Sequence, residues 1–416
     1  RVARRHALAS AMPPARRRFG RAATAHALAR RPAAAVGLNF ALDPGRGVEA
    51  VPLRSSVFGA VIAVVARTSA LVFGSSLQHL LATPRLYGFN WDVTFEGPSQ
   101  PLDKGPVPAF LKDDRVRGVV VTSSGLPLQV GSQRTDVIVA DVVKGDIAPV
   151  LLDGRAPRRA NEVMLGTVTL RKIGAHVGDM VTVSIPGISR KPVRMRVVGR
   201  GVLPAQTENA RLGEGAILSG RSFTVPLVPK ALFAQGDTSY DSGAVTFAPG
   251  VDRRSAVAEY RRRFRTVTFH GAQKPSDLVN FGRVQRLPIV LAGLLATFGI
   301  AVFTYLLTTS VRRRRRDFAV LKALGFARRE VRVVLGAQAT VVAVVTALVG
   351  VPLGIVAGRS AWVALADRIG VPARPVVELP VIALIVVFTV LTANVVGAIP
   401  GFFAARVRPA TVLRTK

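Results

Sequence analysis

Few residues in this chain combine the type and spacing that chemistry requires. The five histidines are His6, His26, His79, His176 and His270. No two of them stand at metal-ligand spacing, and no His-Glu-x-x-His run occurs, so a helical zinc site is not expected. Cysteine is absent, which excludes disulfides and thiolate metal sites. No Gly-x-x-x-x-Gly-Lys-Ser/Thr run is present, so the chain should not bind ATP through a phosphate loop. Ser75-Ser76 and Ser123-Ser124-Gly125 lack the strand–turn–helix context of a nucleophile elbow. Asp113-Asp114 is the one adjacent acidic pair in the middle of the chain, and it reads as solvated surface. The expectation is no catalytic residue, no cofactor, no metal and no enzyme.

The informative residues are of another kind. Arg312–Arg316 form a run of five arginines, followed by Asp317-Phe-Ala-Val-Leu-Lys-Ala-Leu-Gly-Phe326. Phe318, Leu321 and Leu324 recur at helical spacing, with Ala319 and Ala323 alongside. One face is therefore apolar and the opposite face cationic. Gly325 is placed to close that turn in a left-handed conformation. A second helix is expected from Ala327, carrying Arg328, Arg329 and Arg332. Such a segment either docks on a soluble partner or lies on anionic headgroups.

Long apolar stretches must hold that segment. A helix needs roughly 20 apolar residues to cross a bilayer. Residues 287–310 meet this without a charge, and 333–357 and 376–404 follow. Pro352 inside the third stretch predicts a kink. Residues 55–81 form another, interrupted by Arg67, whose insertion costs about 2.5–3.5 kcal/mol at a bilayer centre. Arg67 either faces a helix bundle or snorkels, or lines a pathway. Gly59, Ala60, Ala63, Ala66, Ser69, Ala70 and Gly74 suit close helix packing. Between 82 and 286 no stretch is long enough. Valine-rich alternation at 117–121, 136–143, 180–185 and 193–199 predicts strands, and 252–264 predicts a helix. The expected fold is an α-helical membrane protein with four transmembrane helices plus an extracytoplasmic α+β domain inserted between helices one and two.

Loop charges set the expected orientation. Residues 1–54 hold eleven arginines against Asp43 and Glu49, the 311–332 loop nine basic residues against two acidic, and the 405–416 tail four basic and none acidic. The positive-inside rule puts all three in the cytoplasm and residues 82–286 outside. The net charge of +33 raises nucleic acid as a partner. Only 9 of the 57 basic residues are lysines, however, and the densest clusters border apolar spans. They read as topology signals, and no nucleic acid is expected.

The run Arg315-Arg-Asp-Phe-Ala-Val-Leu-Lys-Ala-Leu-Gly-Phe-Ala-Arg-Arg-Glu-Val331 resembles the signature loop of FtsX-like permeases, membrane subunits of ABC transporters. That group includes macrolide exporters and lipoprotein-releasing complexes. The ending Ala404-Ala-Arg-Val-Arg-Pro-Ala-Thr-Val-Leu-Arg414 is similar to that family's ending. Together the resemblance covers about 281–416. Residues 152–157, 161–166, 174–179 and 197–199 resemble the β-rich subdomain of such permeases. Residues 48–92, with Gly88-Phe-Asn-Trp-Asp92, resemble the start of the second half in long, duplicated members. With Arg1 in first place, the chain is expected to be the later part of a longer polypeptide.

The resemblance implies a division into a cytoplasmic basic linker (1–54), a first span (55–81), an outer domain (82–286) and a permease domain (287–416). It implies that Arg316, Asp317, Phe318, Leu321, Lys322, Leu324, Gly325, Arg328, Arg329 and Glu330 couple to a cytoplasmic ABC ATPase subunit. Further partners implied are the lipid bilayer and a partner permease half or homodimer. The location is a bacterial plasma membrane, multi-pass, with both termini cytoplasmic. At Ala327 the family often carries Ser or Thr, and alanine forgoes that helix cap at about 1 kcal/mol. The alternative is a membrane signalling or regulatory protein whose outer domain binds a cell-wall enzyme or ligand without moving cargo.

Overall fold

The computed structural model describes residues 53–189, 191–204, 211–220, 227, 239–275, 278–280, 287–313 and 327–405. Residues 1–52 of the basic linker, 406–416 of the C-terminal tail and 314–326 of the expected coupling loop lie outside them. The described residues form two compact units. One draws on the described residues within 53–66, 294–353 and 379–405, the other on those within 67–293 and 354–378.

The first unit is helical. It contains the start of α1 (Leu53–Ala82) and most of α5 (Leu287–Arg313), α6 (Arg328–Ile369) and α7 (Leu379–Ala405). Small residues set the packing distance. A Cβ on Gly350 would lie 2.8 Å from Val64, and one on Gly299 3.2 Å from the Cβ of Ala63. Backbones can approach this closely only where side chains are absent. Ala339, Ala343 and Ala393 are buried with Val342 and Val396. Asn394 Nδ2 donates to Thr340 Oγ1 at 3.0 Å, tying α7 to α6. Elsewhere apolar side chains face outward: Phe298, Tyr305, Leu348, Leu384 and Val395 are exposed.

By length and composition, three helical stretches can cross a membrane: Val57–Ala82, Arg332–Ile369 and Leu379–Ala398. α5 is a 27-residue helix, but the apolar stretch measured on it is the shorter Val290–Val302. The expected third span ends at 357, but the helix that carries it does not. α6 continues to Ile369, giving 42 residues with Pro352 inside. At 1.5 Å per residue that is about 63 Å, twice the hydrocarbon thickness of about 30 Å.

The second unit is β-rich. Ten strands pair into one sheet: β1 (Val93–Gln100), β2 (Val116–Val130), β3 (Gln133–Lys144), β4 (Val150–Gly154), β5 (Glu162–Gly166), β6 (Met180–Ser184), β7 (Val193–Val202), β8 (Ala216–Leu218), β9 (Tyr240–Phe247) and β10 (Thr268–His270). Every strand the valine alternation predicts is present. β2 is the hinge of the topology. Its first half pairs with β9, its far end with β6, and nearly its whole length with β3. The circuit β2-β3-β8-β5-β7-β6 therefore closes on itself through six pairings. Closure removes free strand edges, and Leu128, Val139, Val163, Val183, Met195 and Leu218 fill the interior. The other half, β10-β1-β9-β2, is covered by α2 (Val107–Lys112) and α4 (Arg253–Arg263) through Phe95, Phe110, Tyr260 and Phe269. α3 (Thr167–Ile173) follows β5 directly.

Asp113 corrects the solvated reading of the Asp113-Asp114 pair. Its carboxylate takes two bonds from Arg115 Nε at 3.1 Å, and Tyr260 Oη donates to it at 2.5 Å. Arg115 first, with Tyr260, holds Asp113 well below the usual carboxylate range, while burial first, and then the bond to Asp113, pushes the Tyr260 hydroxyl up. Asp114 is exposed as expected. Two residues adjacent in sequence thus have different fates, because only one faces α4.

Candidate functional site

The second unit contains a joint between the ends of two apolar helices and the β-domain. α1 supplies Phe73, Leu77, Leu80 and Leu81, and α6 supplies Trp362 and Ala366. Leu86, Tyr87, Phe89 and Leu212 close over them from the β-domain side. Trp362 is 1% exposed, and its ring meets Phe73 edge-on with centroids 5.9 Å apart. Burial of an aromatic ring is worth several kcal/mol, and its shape fixes the crossing of the two helices.

Local chemistry explains how each chain segment enters the joint. α1 stops before a short 3-10 turn, Pro84–Tyr87, and the single proline, Pro84, suits its first position. Gly88 ends that turn at φ 96, where a Cβ would lie 2.8 Å from Pro204 N. α6 ends at Gly370, φ 73. The N–H groups of Gly370 and Val371 both go to Ala366 O, at 2.8 and 3.0 Å, which closes the helix in a glycine cap. Val371 then buries its side chain in the joint. A Cβ on Gly370 would stand 2.9 Å from Thr167 Cβ and 3.0 Å from Gly213 Cα.

Polar contacts reinforce the apolar ones. Arg171 of α3 donates through Nη2 to Arg368 O at 2.7 Å. A cation at a helix C-terminus also complements the helix dipole. Buried Ser76 Oγ donates to Val72 O at 2.8 Å and accepts from Val376 N at 3.0 Å. Ser76 is thus a structural hydroxyl. β5 is anchored separately: Glu162 accepts from Arg155 Nη1 at 2.7 Å and from the N–H groups of Arg158 and Arg159. Those donors, Arg155 first, hold Glu162 at about 2.

Of the residues expected to couple, Arg316, Asp317, Phe318, Leu321, Lys322, Leu324 and Gly325 lie outside the described residues. Arg328, Arg329 and Glu330 stand in the first turn of α6. Glu330 Oε2 accepts from Ala327 N at 2.9 Å. This is one half of a capping box; the hydroxyl that supplies the other half is missing at alanine. Arg67 sits half-buried in α1. Among the described residues no group of three His, Asp or Glu side chains could hold a metal ion. His176 and His270 instead face single carboxylates, Asp179 and Glu96.

Sequence reasoning missed the joint. Phe73, Arg171 and the Trp362–Gly370 stretch are far apart in the chain, and only folding unites them. The one available signal was the Trp362–Val371 stretch, whose apolar spacing continues that of the span before it.

A multi-pass membrane protein with a β-rich domain between its first two long helices is the class this architecture defines. Residues 289–409 match the FtsX-like permease C-terminal family, so the C-terminal region is an FtsX-like permease domain. The chain is 27% identical over 266 residues to two proteins described as uncharacterized ABC transporter permeases. They come from Mycobacterium tuberculosis strains CDC 1551 and H37Rv. The match covers 64% of this chain and 66% of each relative, just under two thirds of their length. Among solved structures, the periplasmic region of MacB from Actinobacillus actinomycetemcomitans aligns with 50% of this chain and 98% of its own. The identity is 12% and the TM-score 0.32.

Proposed function

We propose that the chain is a permease subunit of an ABC-type complex, in which a separate cytoplasmic ATPase drives motion that reaches an extracytoplasmic domain. The observation that carries this reading is the joint. Membrane-length helices α1 and α6 end in one buried core with the β-domain, which Trp362 and Arg368 of α6 and its capping Gly370 all meet. A helix end held by close-packed side chains transmits displacement, because packed interiors do not deform smoothly.

The domain limits are those of the sequence: a cytoplasmic linker to 54, an outer domain over 82–286, and four spans with α5 as the second. Arg316–Glu330 form the ATPase contact, with Phe318, Leu321 and Leu324 as its apolar face. The rigid start of α6, capped by Glu330, carries the load onward. Four spans are few for a transporter, so a partner half or a second copy completes the complex. Both termini face the cytoplasm of a bacterial plasma membrane.

The test is purification of the natural full-length protein from its own membranes in mild detergent. The expected result is a stoichiometric ABC ATPase that is lost when Leu321 and Leu324 are made polar. Intact protein without an ATPase overturns the reading and favours a sensor or scaffold acting through residues 82–286.

A further inference from the structure

A cavity of about 490 Å³ lies in the β-domain, across strands β2, β3, β8 and β9 and under the 145–149 turn. That volume is in the range of small-ligand sites. Val120, Ile138 and Ile147 give it an apolar floor. Two carboxylates, Asp141 and Asp146, and one guanidinium, Arg158, line it as well. Asp141 is half-buried, with Oδ1 accepting from Gly220 N at 3.0 Å, and Asp146 is exposed at the rim. Neither has a salt-bridge partner among the described residues. In a chain of net charge +33 this is a local excess of negative charge inside a concave, partly apolar site. Such a site concentrates cations.

Trp91 joins this cavity to the joint. It lines the cavity and packs with Val120 and Ile147. Its ring also lies 5.1 Å from Phe89, and it packs against the joint core that contains Trp362. Its indole N–H is buried without an acceptor among the described residues. The ring is therefore held by packing alone, and what fills the cavity bears directly on it.

We propose that the cavity binds a small amphipathic ligand carrying an ammonium group, and that Trp91 relays its occupancy to the joint of α1 and α6. The apolar body rests on Val120, Ile138 and Ile147, and the cation faces Asp141 and Asp146. This deepens the function proposed above. Arrival of the ligand from outside the membrane rests on that reading; binding itself does not.

Binding is tested with the full chain in lipid nanodiscs, carrying Trp362→Phe so that Trp91 is the sole remaining tryptophan. The probes are phenylalaninamide at pH 6.5, and N-acetylphenylalaninamide, which keeps the ring and amide but lacks the charge. The expected result is a saturable fluorescence change with the first and about tenfold weaker binding of the second. Asp141→Asn combined with Asp146→Asn should erase that preference, and calorimetry on the chain with both tryptophans should reproduce it. No saturation at millimolar probe, equal affinity for both probes, or a preference that survives in the double variant overturns the site. The relay is read by hydrogen exchange. Probe should slow exchange in residues 77–89 and 362–371, and Trp91→Ala should abolish the slowing; unchanged exchange with bound probe overturns the relay. Co-purification of an ATPase is independent of all these readouts, so failure here and failure of the permease reading are distinguishable.

Discussion

Phe73 and Trp362 are 289 positions apart in the chain, yet their rings meet at 73° with centroids 5.9 Å apart. That edge-to-face contact pins the end of α1 to the end of α6. Trp362→Ala should lower stability by about 3–5 kcal/mol, the usual loss for a large buried aromatic. Trp362→Phe should lose markedly less. Thermal unfolding of the chain in nanodiscs checks the order, and equal losses would mean that the pair is not a packing contact.

Gly370 is held at φ 73 with Thr167 and Gly213 against its α-carbon. Gly370→Ala meets both a strained backbone and a collision. A loss of about 1–3 kcal/mol is expected. Gly250 is a control: it has φ 87 but nothing within 4 Å of a Cβ. Its alanine variant should show the conformational cost only, so the difference in unfolding midpoint isolates the collision.

Glu162 supplies a pH dependence with a definite sign. Its folded-state value of about 2 lies below the ordinary 4.5. The stability it contributes is complete above pH 4.5 and is lost as pH falls toward 2. Its size is about 2 kcal/mol, discounted because Arg155 is half-exposed. Glu162→Gln should be less stable at pH 7, and the gap from the native chain should narrow through that acid window. A gap independent of pH would assign the effect to packing.

The helix that begins at Ala327 keeps the glutamate half of its cap. Ala327→Ser restores the hydroxyl and should stabilise the start of α6 by about 1 kcal/mol. Slower hydrogen exchange of the first turn is the measurement; Glu330→Ala should speed it.

Within the helical unit, Thr340 and Asn394 exchange hydrogen bonds at 3.0–3.1 Å. Asn394→Leu should cost about 0.6 kcal/mol, and at most about 1.7. A double-mutant cycle with Thr340→Val measures the coupling, and additive effects would leave the pair without one.

Much of the fold was legible because its signals are local. The alternating valines of β2, β3, β6 and β7 each announce a strand, and the arginine-flanked apolar runs each announce a helix. Two features misled. Gly358–Pro375 reads as a connector because Arg359, Asp367 and Arg368 interrupt the apolar run, yet packing of Trp362 and Ala366 in the joint keeps α6 helical to Ile369. Asp113 looks like its neighbour Asp114 until Tyr260 arrives from 147 residues away. The short strands β8 and β10, three residues each, carry too little pattern to be read at all.

What the sequence determined by itself is what periodicity and charge encode within one stretch: membrane-length helices, a β-rich insertion between them, the basic amphipathic loop and its family resemblance. What only the tertiary structure decided is which distant residues meet. Closure of β2-β3-β8-β5-β7-β6, the Trp362 joint and the Trp91 cavity each depend on contacts across tens to hundreds of residues. Such contacts are selected by shape and burial after the chain collapses, and one-dimensional spacing does not record them.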